Sequence, residues 1–134
     1  TPENMQMLTD YHNVVEDLIG YFRNFALEAD KNGIKDWILD PGLGFAKTVE
    51  QNYSILRSLA SFKRVAKADG TPPDLLVGVS RKSMIYKYLG ITPDEALPAT
   101  QVLHLAALQQ GTDVLRVHDV AEAVRTVELY RMLF

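Results

Sequence analysis

Leu75-Leu-Val-Gly-Val-Ser-Arg-Lys-Ser83 decides how this chain is read. An apolar run from Leu75 to Val79, interrupted only by Gly78, stops at Ser80, and a helix-forming segment starts at Lys82. A near-continuous apolar run of this length fits a parallel strand covered on both faces. Outward from it the same pattern recurs on either side, in Trp37-Ile-Leu-Asp-Pro-Gly-Leu-Gly-Phe-Ala-Lys47 and in Val114-Leu-Arg-Val-His-Asp119. Asp40, Ser80 and His118 lie 40 and 38 residues apart, the length of one strand-loop-helix-loop unit. Parallel α/β proteins bind ligands at the carboxyl ends of their strands. Asp40, Lys82, Arg116 and His118 are therefore expected to face one site.

The rest of the chain fits between these junctions. Thr1 to Asp10 reads as a loop. Apolar residues at helical spacing (Val14, Val15, Leu18, Ile19, Phe22, Phe25, Ala26, Ala29) predict a helix from Tyr11 to Asn32. Strands are expected at 34–39, 75–79 and 114–117. Thr48 and Gln51 form a capping-box pattern for a helix from Val49 to Ala66. A helix from Lys82 to Leu89 breaks at Gly90 to Pro93 and resumes at Pro98 or Ala99, running to Gln110. A closing helix covers Val120 to Leu133. An eight-stranded barrel takes about 250 residues. The expectation is thus a single α/β domain over 1–134, the C-terminal part of a TIM (β/α)8 barrel with its last three parallel strands and last four helices.

With 134 residues, 47% hydrophobic and a net charge of −3, the composition is that of a soluble domain. The acidic balance argues against nucleic-acid or membrane-surface binding. No cysteine is present, which excludes disulfides, thiolate catalysis and Cys-based zinc sites. No apolar run approaches the ~18 residues of a membrane span, and no signal peptide is visible, so a cytoplasmic location is expected. The chain begins at Thr1 rather than Met, as expected of a processed, truncated or partial sequence. Lys47, Arg81, Lys82 and Arg116 nonetheless gather at the strand ends, which suits a small anionic ligand; ordinary solvated side chains are the alternative.

Each motif carries two readings. Asp40, ahead of Gly42 and Gly44, either accepts paired hydrogen bonds from an amidine-like N–H edge or bonds its own turn amides. Gly78 removes bulk inside a strand, a mark of close ligand approach. Ser80 to Ser83 begin a helix, where free N–H groups favour anions; alternatively Ser80 is a cap and Arg81 and Lys82 are solvated. Arg116 and His118 alternate with Val117, so they share a strand face with Val114. A cation there needs an anion, either a ligand or an internal partner, Asp119 or Asp113. His12 and His104 fall within helices, and the histidines lack metal-ligand spacing.

Taken together, the segments Asp40 to Lys47, Val77 to Met84 and Arg116 to Val120 resemble the sixth-, seventh- and eighth-strand motifs of dihydropteroate synthase of the folate pathway. Asn52, Tyr53 and the stretch Gly111 to Val114 also fit. The resemblance implies a TIM-barrel transferase that joins 6-hydroxymethyl-7,8-dihydropterin pyrophosphate to p-aminobenzoate, releasing pyrophosphate. It implies magnesium as cofactor, a homodimer and sulfonamide competition. In its site Asp40 and Lys82 hold the pterin, Arg116 stacks over it and contacts phosphate, and His118 binds pyrophosphate. Phe45, Lys47, Ser80 and Ser83 border the p-aminobenzoate pocket, and Gly78 lets the ring lie close. The family's first-strand Asn and mobile first loops, which serve the magnesium and pyrophosphate, have no counterpart in these residues. The isolated chain is therefore expected to be inactive. Two alternatives are a methyltetrahydrofolate-type methyltransferase barrel, which needs no pyrophosphate anchor, and a non-catalytic pterin-binding scaffold.

Overall fold

The structure, a computed structural model, describes residues 11–44 and 47–134. The loop expected at Thr1 to Asp10, and Phe45, lie outside the described residues, as does the side chain of His12. The described order is α1 (Tyr11–Lys31), β1 (Ile38–Leu39), α2 (Val49–Arg57), β2 (Asp74–Val77), α3 (Ser83–Leu89), α4 (Leu97–Gln109), β3 (Val114–Leu115) and α5 (Val120–Leu133). Short 3-10 turns lie at Leu59–Arg64 and Pro93–Ala96. The strands form one parallel sheet in the order β1-β2-β3, with helices between them, so the expected α/β class holds.

The strands are shorter than expected, for a readable reason. Ile38 pairs with Asp74 and Leu39 with Leu75. The residues before Asp74 are Pro72 and Pro73, which have no N–H to donate. Ile34 to Trp37 therefore lie outside the ladder, and β1 covers 38–39 rather than 34–39. β2 covers 74–77 rather than 75–79, and β3 covers 114–115 rather than 114–117. The Arg116 N–H still donates to the Val77 carbonyl at 2.9 Å, so the backbone remains guided past the last paired residue.

The second expected helix is also revised. The Thr48–Gln51 capping box is present, with both bonds at 3.0 Å, but α2 ends at Arg57. Leu59 to Arg64 then winds as a 3-10 turn. Three residues per turn place every third side chain on one side, and Leu59, Phe62 and Val65 are all fully buried. Each such burial contributes about 1.5–3 kcal/mol. The break between α3 and α4 lies where it was expected, at Gly90, although α4 starts at Leu97, directly after the Pro93–Ala96 turn.

The core lies between the sheet and the helices. Leu39, Leu75, Val77 and Val79 meet Ile19 of α1, Ile55 and Leu56 of α2, Phe62, and Met84 and Ile85 of α3. Phe25, expected on the buried face of α1, is exposed. Strand alternation turns Ile38, Asp40, Leu76, Gly78, Val114 and Arg116 to the opposite, open face of the sheet. Ile38 and Val114 are accordingly exposed.

Candidate active site

Three strand ends meet on that open face. Asp40 directly follows β1, and its two oxygens have different work. Oδ1 accepts from the Gly42 N–H at 2.9 Å, closing a turn, and Oδ2 accepts from Arg116 Nη1 at 3.2 Å. The turn reading of Asp40 is present, and its second oxygen accepts one N–H, here supplied by the protein itself.

Arg116 comes from the end of β3 and lies over Gly78 of the neighbouring strand. A Cβ on Gly78 would be 2.7 Å from Nη2 and 3.0 Å from Cζ. The space opened by Gly78, expected to admit a ligand ring, is occupied by the guanidinium. The expected internal partners of Arg116 are corrected too: Asp113 pairs with Lys63, and Asp119 pairs with Arg81. Neither reaches Arg116, because Arg116 points to the open face, where Asp40 is.

Lys82 and Lys47 close the site from the Gly-rich turn. Lys82 Nζ donates to the Leu43 carbonyl and Lys47 Nζ to the Gly42 carbonyl at 2.8 Å. Gly44 has φ +90°, and a Cβ there would sit 3.3 Å from Lys82 Cδ, so glycine serves both the turn and the lysine's approach. The buried Asn52 accepts from the Gly44 N–H at 2.8 Å and anchors the turn to α2. Burial lowers the pKa of Lys82, Arg116 and Lys47 lower it further, and Asp40 opposes them. Burial likewise lowers Lys47 against the pull of Asp40. Lys47, Lys82 and Arg116 thus gather around Asp40.

Ser80 is buried, and its Oγ accepts the His118 N–H at 3.2 Å, tying β2's end to β3's end. His118 is exposed beside it, and Ser83 is the first residue of α3. The structure thus brings Asp40, Lys47, Gly78, Lys82 and Arg116 into one cluster, with Ser80 and His118 linked at its β2–β3 side. Arg81, read as a strand-end cation, instead turns inward. It has φ +51° and forks onto Asp119, with Nε at 2.8 Å and Nη2 at 3.0 Å. Its Nη1 also donates to the Pro93 carbonyl at 3.1 Å. The sequence contained no local signal for this pair, whose members are 38 residues apart. His104, expected as a surface or packed helix residue, is buried on α4, and burial lowers its pKa.

Residues 1–118 match the family described as pterin binding enzyme. The chain belongs to the pterin binding enzyme family. It is 37% identical over 130 residues to the dihydropteroate synthase of Escherichia coli, covering 96% of this chain and 44% of that protein. It superposes on a dihydropteroate synthase from Thermus thermophilus in complex with 6HMPPP with a TM-score of 0.82 and 30% identity, covering 93% of this chain and 49% of that one. The Thermus thermophilus synthase in complex with 4-aminobenzoate gives a TM-score of 0.81 and 30% identity, over 99% and 52%. The chain therefore spans about half the length of the pterin binding enzymes it matches. Its three parallel strands and intervening helices are those of part of such a barrel.

Proposed function

We propose that the protein carrying this chain is a dihydropteroate synthase, joining 6-hydroxymethyl-7,8-dihydropterin pyrophosphate to p-aminobenzoate. The observation that carries this reading is the cluster on the open face: Asp40 from one strand end, Lys82 from the next and Arg116 from the third. It is supported by the likeness to synthases solved with 6HMPPP and with 4-aminobenzoate.

In the reaction the bond between the pterin methylene carbon and the pyrophosphate oxygen breaks, and a bond from that carbon to the p-aminobenzoate nitrogen forms. Pyrophosphate leaves with the bonding pair, and the amine nitrogen loses a proton. Positive charge develops on the pterin methylene, and Asp40 favours it. Negative charge develops on the leaving group, and Arg116 and His118 stabilise it. Lys82 donates to the pterin carbonyl. Lys47, Ser80 and Ser83 border the p-aminobenzoate side, where the amine needs placing more than deprotonating.

The Arg116 fork now occupies both the Asp40 oxygen and the space over Gly78. Its side chain is 52% exposed and held by one bond at 3.2 Å, so an incoming pterin displaces it at little cost and leaves it stacked over the ring. Magnesium, implied by the resemblance, finds no cluster of three or more His, Asp or Glu side chains among the described residues. The resemblance places the protein ligand of that ion in the first-strand segment, which these residues do not include, and no step above runs through it.

A homodimer is likewise proposed, on the resemblance. No helix among the described residues is long and apolar enough to cross a membrane. The test of function is p-aminobenzoate-dependent pyrophosphate release by the protein as its gene encodes it, with sulfonamide competing against p-aminobenzoate. The 134-residue chain alone is expected to show none. Pyrophosphate release by the encoded protein that ignores p-aminobenzoate would rule this reading out.

A further inference from the structure

We propose that Arg81 is a positioning residue that locks the loop carrying Ser80 and Lys82 onto the loop carrying His118, through Asp119. The contacts of one residue converge on this role. The guanidinium makes two bonds to the Asp119 carboxylate, at 2.8 and 3.0 Å. Nη1 reaches the Pro93 and Asp94 carbonyls at 3.1 and 3.3 Å, in the turn ahead of α4. The Arg81 N–H donates to Thr100 Oγ1 at 3.1 Å, and that hydroxyl donates to the Ala96 carbonyl at 2.7 Å.

The backbone shows why these bonds matter. Among the described residues Arg81 is the one non-glycine with positive φ, +51°. Such a conformation is held against its intrinsic cost by surrounding contacts. It sits between Ser80, which receives the His118 N–H, and Lys82, which faces Asp40's turn. Asp119 follows His118 directly in the chain. The Arg81–Asp119 fork therefore fixes two neighbours of the site at once, while both of its members point away from the open face. Lysine in place of arginine keeps the charge and loses the planar fork.

This inference rests on the synthase reading for its kinetic consequence and on geometry alone for its structural one, and the experiment reads both. The encoded protein is compared with Arg81→Lys and Asp119→Asn by amide hydrogen exchange and by kinetics. The His118 amide is expected to exchange about tenfold faster in both variants, while Leu76 and Val77 of β2 keep their protection. The kcat/KM for the pterin pyrophosphate is expected to fall about tenfold, and adding Arg81→Lys to His118→Ala to cost little further, since the two act as one unit. Exchange at His118 within about twofold of the parent protein overturns the proposal, as do additive kinetic effects. If the encoded protein has no p-aminobenzoate-dependent turnover, the synthase reading fails, and the exchange result still decides for or against the lock.

Discussion

Two arginine–aspartate pairs stand at the ends of these strands, and they are built differently. Arg116 and Asp40 share one bond at 3.2 Å, with side chains 52% and 33% exposed. Arg81 and Asp119 share two shorter bonds, with side chains 23% and 21% exposed, and Arg81 is further held by the Pro93 and Asp94 carbonyls. An exposed single-bond pair contributes little to stability, whereas a fork closed over its carboxylate fixes geometry. The first pair can open for a ligand; the second holds the frame in which it opens.

The comparison can be broken in several ways. Asp40→Asn should have the largest effect: kcat/KM should fall about a hundredfold or more, while the thermal midpoint hardly moves, as steady-state kinetics and a melting curve would show. Next, Arg81→Ala should lower the midpoint clearly, because a half-buried carboxylate loses its partner and the turn ahead of α4 loses two carbonyl contacts. Arg116→Ala should leave stability within about 0.5 kcal/mol, since Asp40 keeps its Gly42 bond. If the two arginine variants melt alike, the contrast is wrong.

Acid should sharpen the difference. The bonds from Arg81 hold the Asp119 pKa below its ordinary value. Its contribution to stability is present above the ordinary carboxylate range and is lost as pH falls through the lowered folded value. Arg81→Gln should flatten that acid limb in a pH-dependent denaturation series. His104 adds a second limb of the same sign. Burial lowers its folded pKa, so its contribution is full above the ordinary histidine range and declines as pH falls below it. The smallest effect is expected from Gly78→Ala. Its Cβ would push on the far end of Arg116, which can swing aside, so stability should change little while pterin affinity falls. An unchanged affinity in a binding titration would count against a pterin ring lying close to Gly78.

The same contrast explains what could be read from the chain. Asp40, Lys82, Arg116 and His118 were legible because each follows an apolar run, and parallel strands deliver such residues to one edge. Their pairing was not, because Arg116 meets Asp40 across 76 residues and Arg81 meets Asp119 across 38. Arg81 and Lys82 are neighbours in the same motif, yet a single positive φ sends one inward and leaves the other at the site. The length of β1 depended on Pro72 and Pro73, which precede the partner strand β2 rather than lying near β1 in the chain. The 3-10 winding of Leu59–Arg64 is not legible in the sequence, because Leu59, Phe62 and Val65 satisfy helical spacing nearly as well as a three-residue period.

The central claim is that Arg116 yields to a pterin while Arg81 does not. It is tested most directly by side-chain Nε–H NMR of the two arginines in the encoded protein during titration with the pterin pyrophosphate. The account predicts a large shift for Arg116, as it leaves Asp40, and a signal for Arg81 that stays in place on Asp119. An Arg116 resonance that stays fixed at saturation, or an Arg81 resonance that moves with it, would contradict the account.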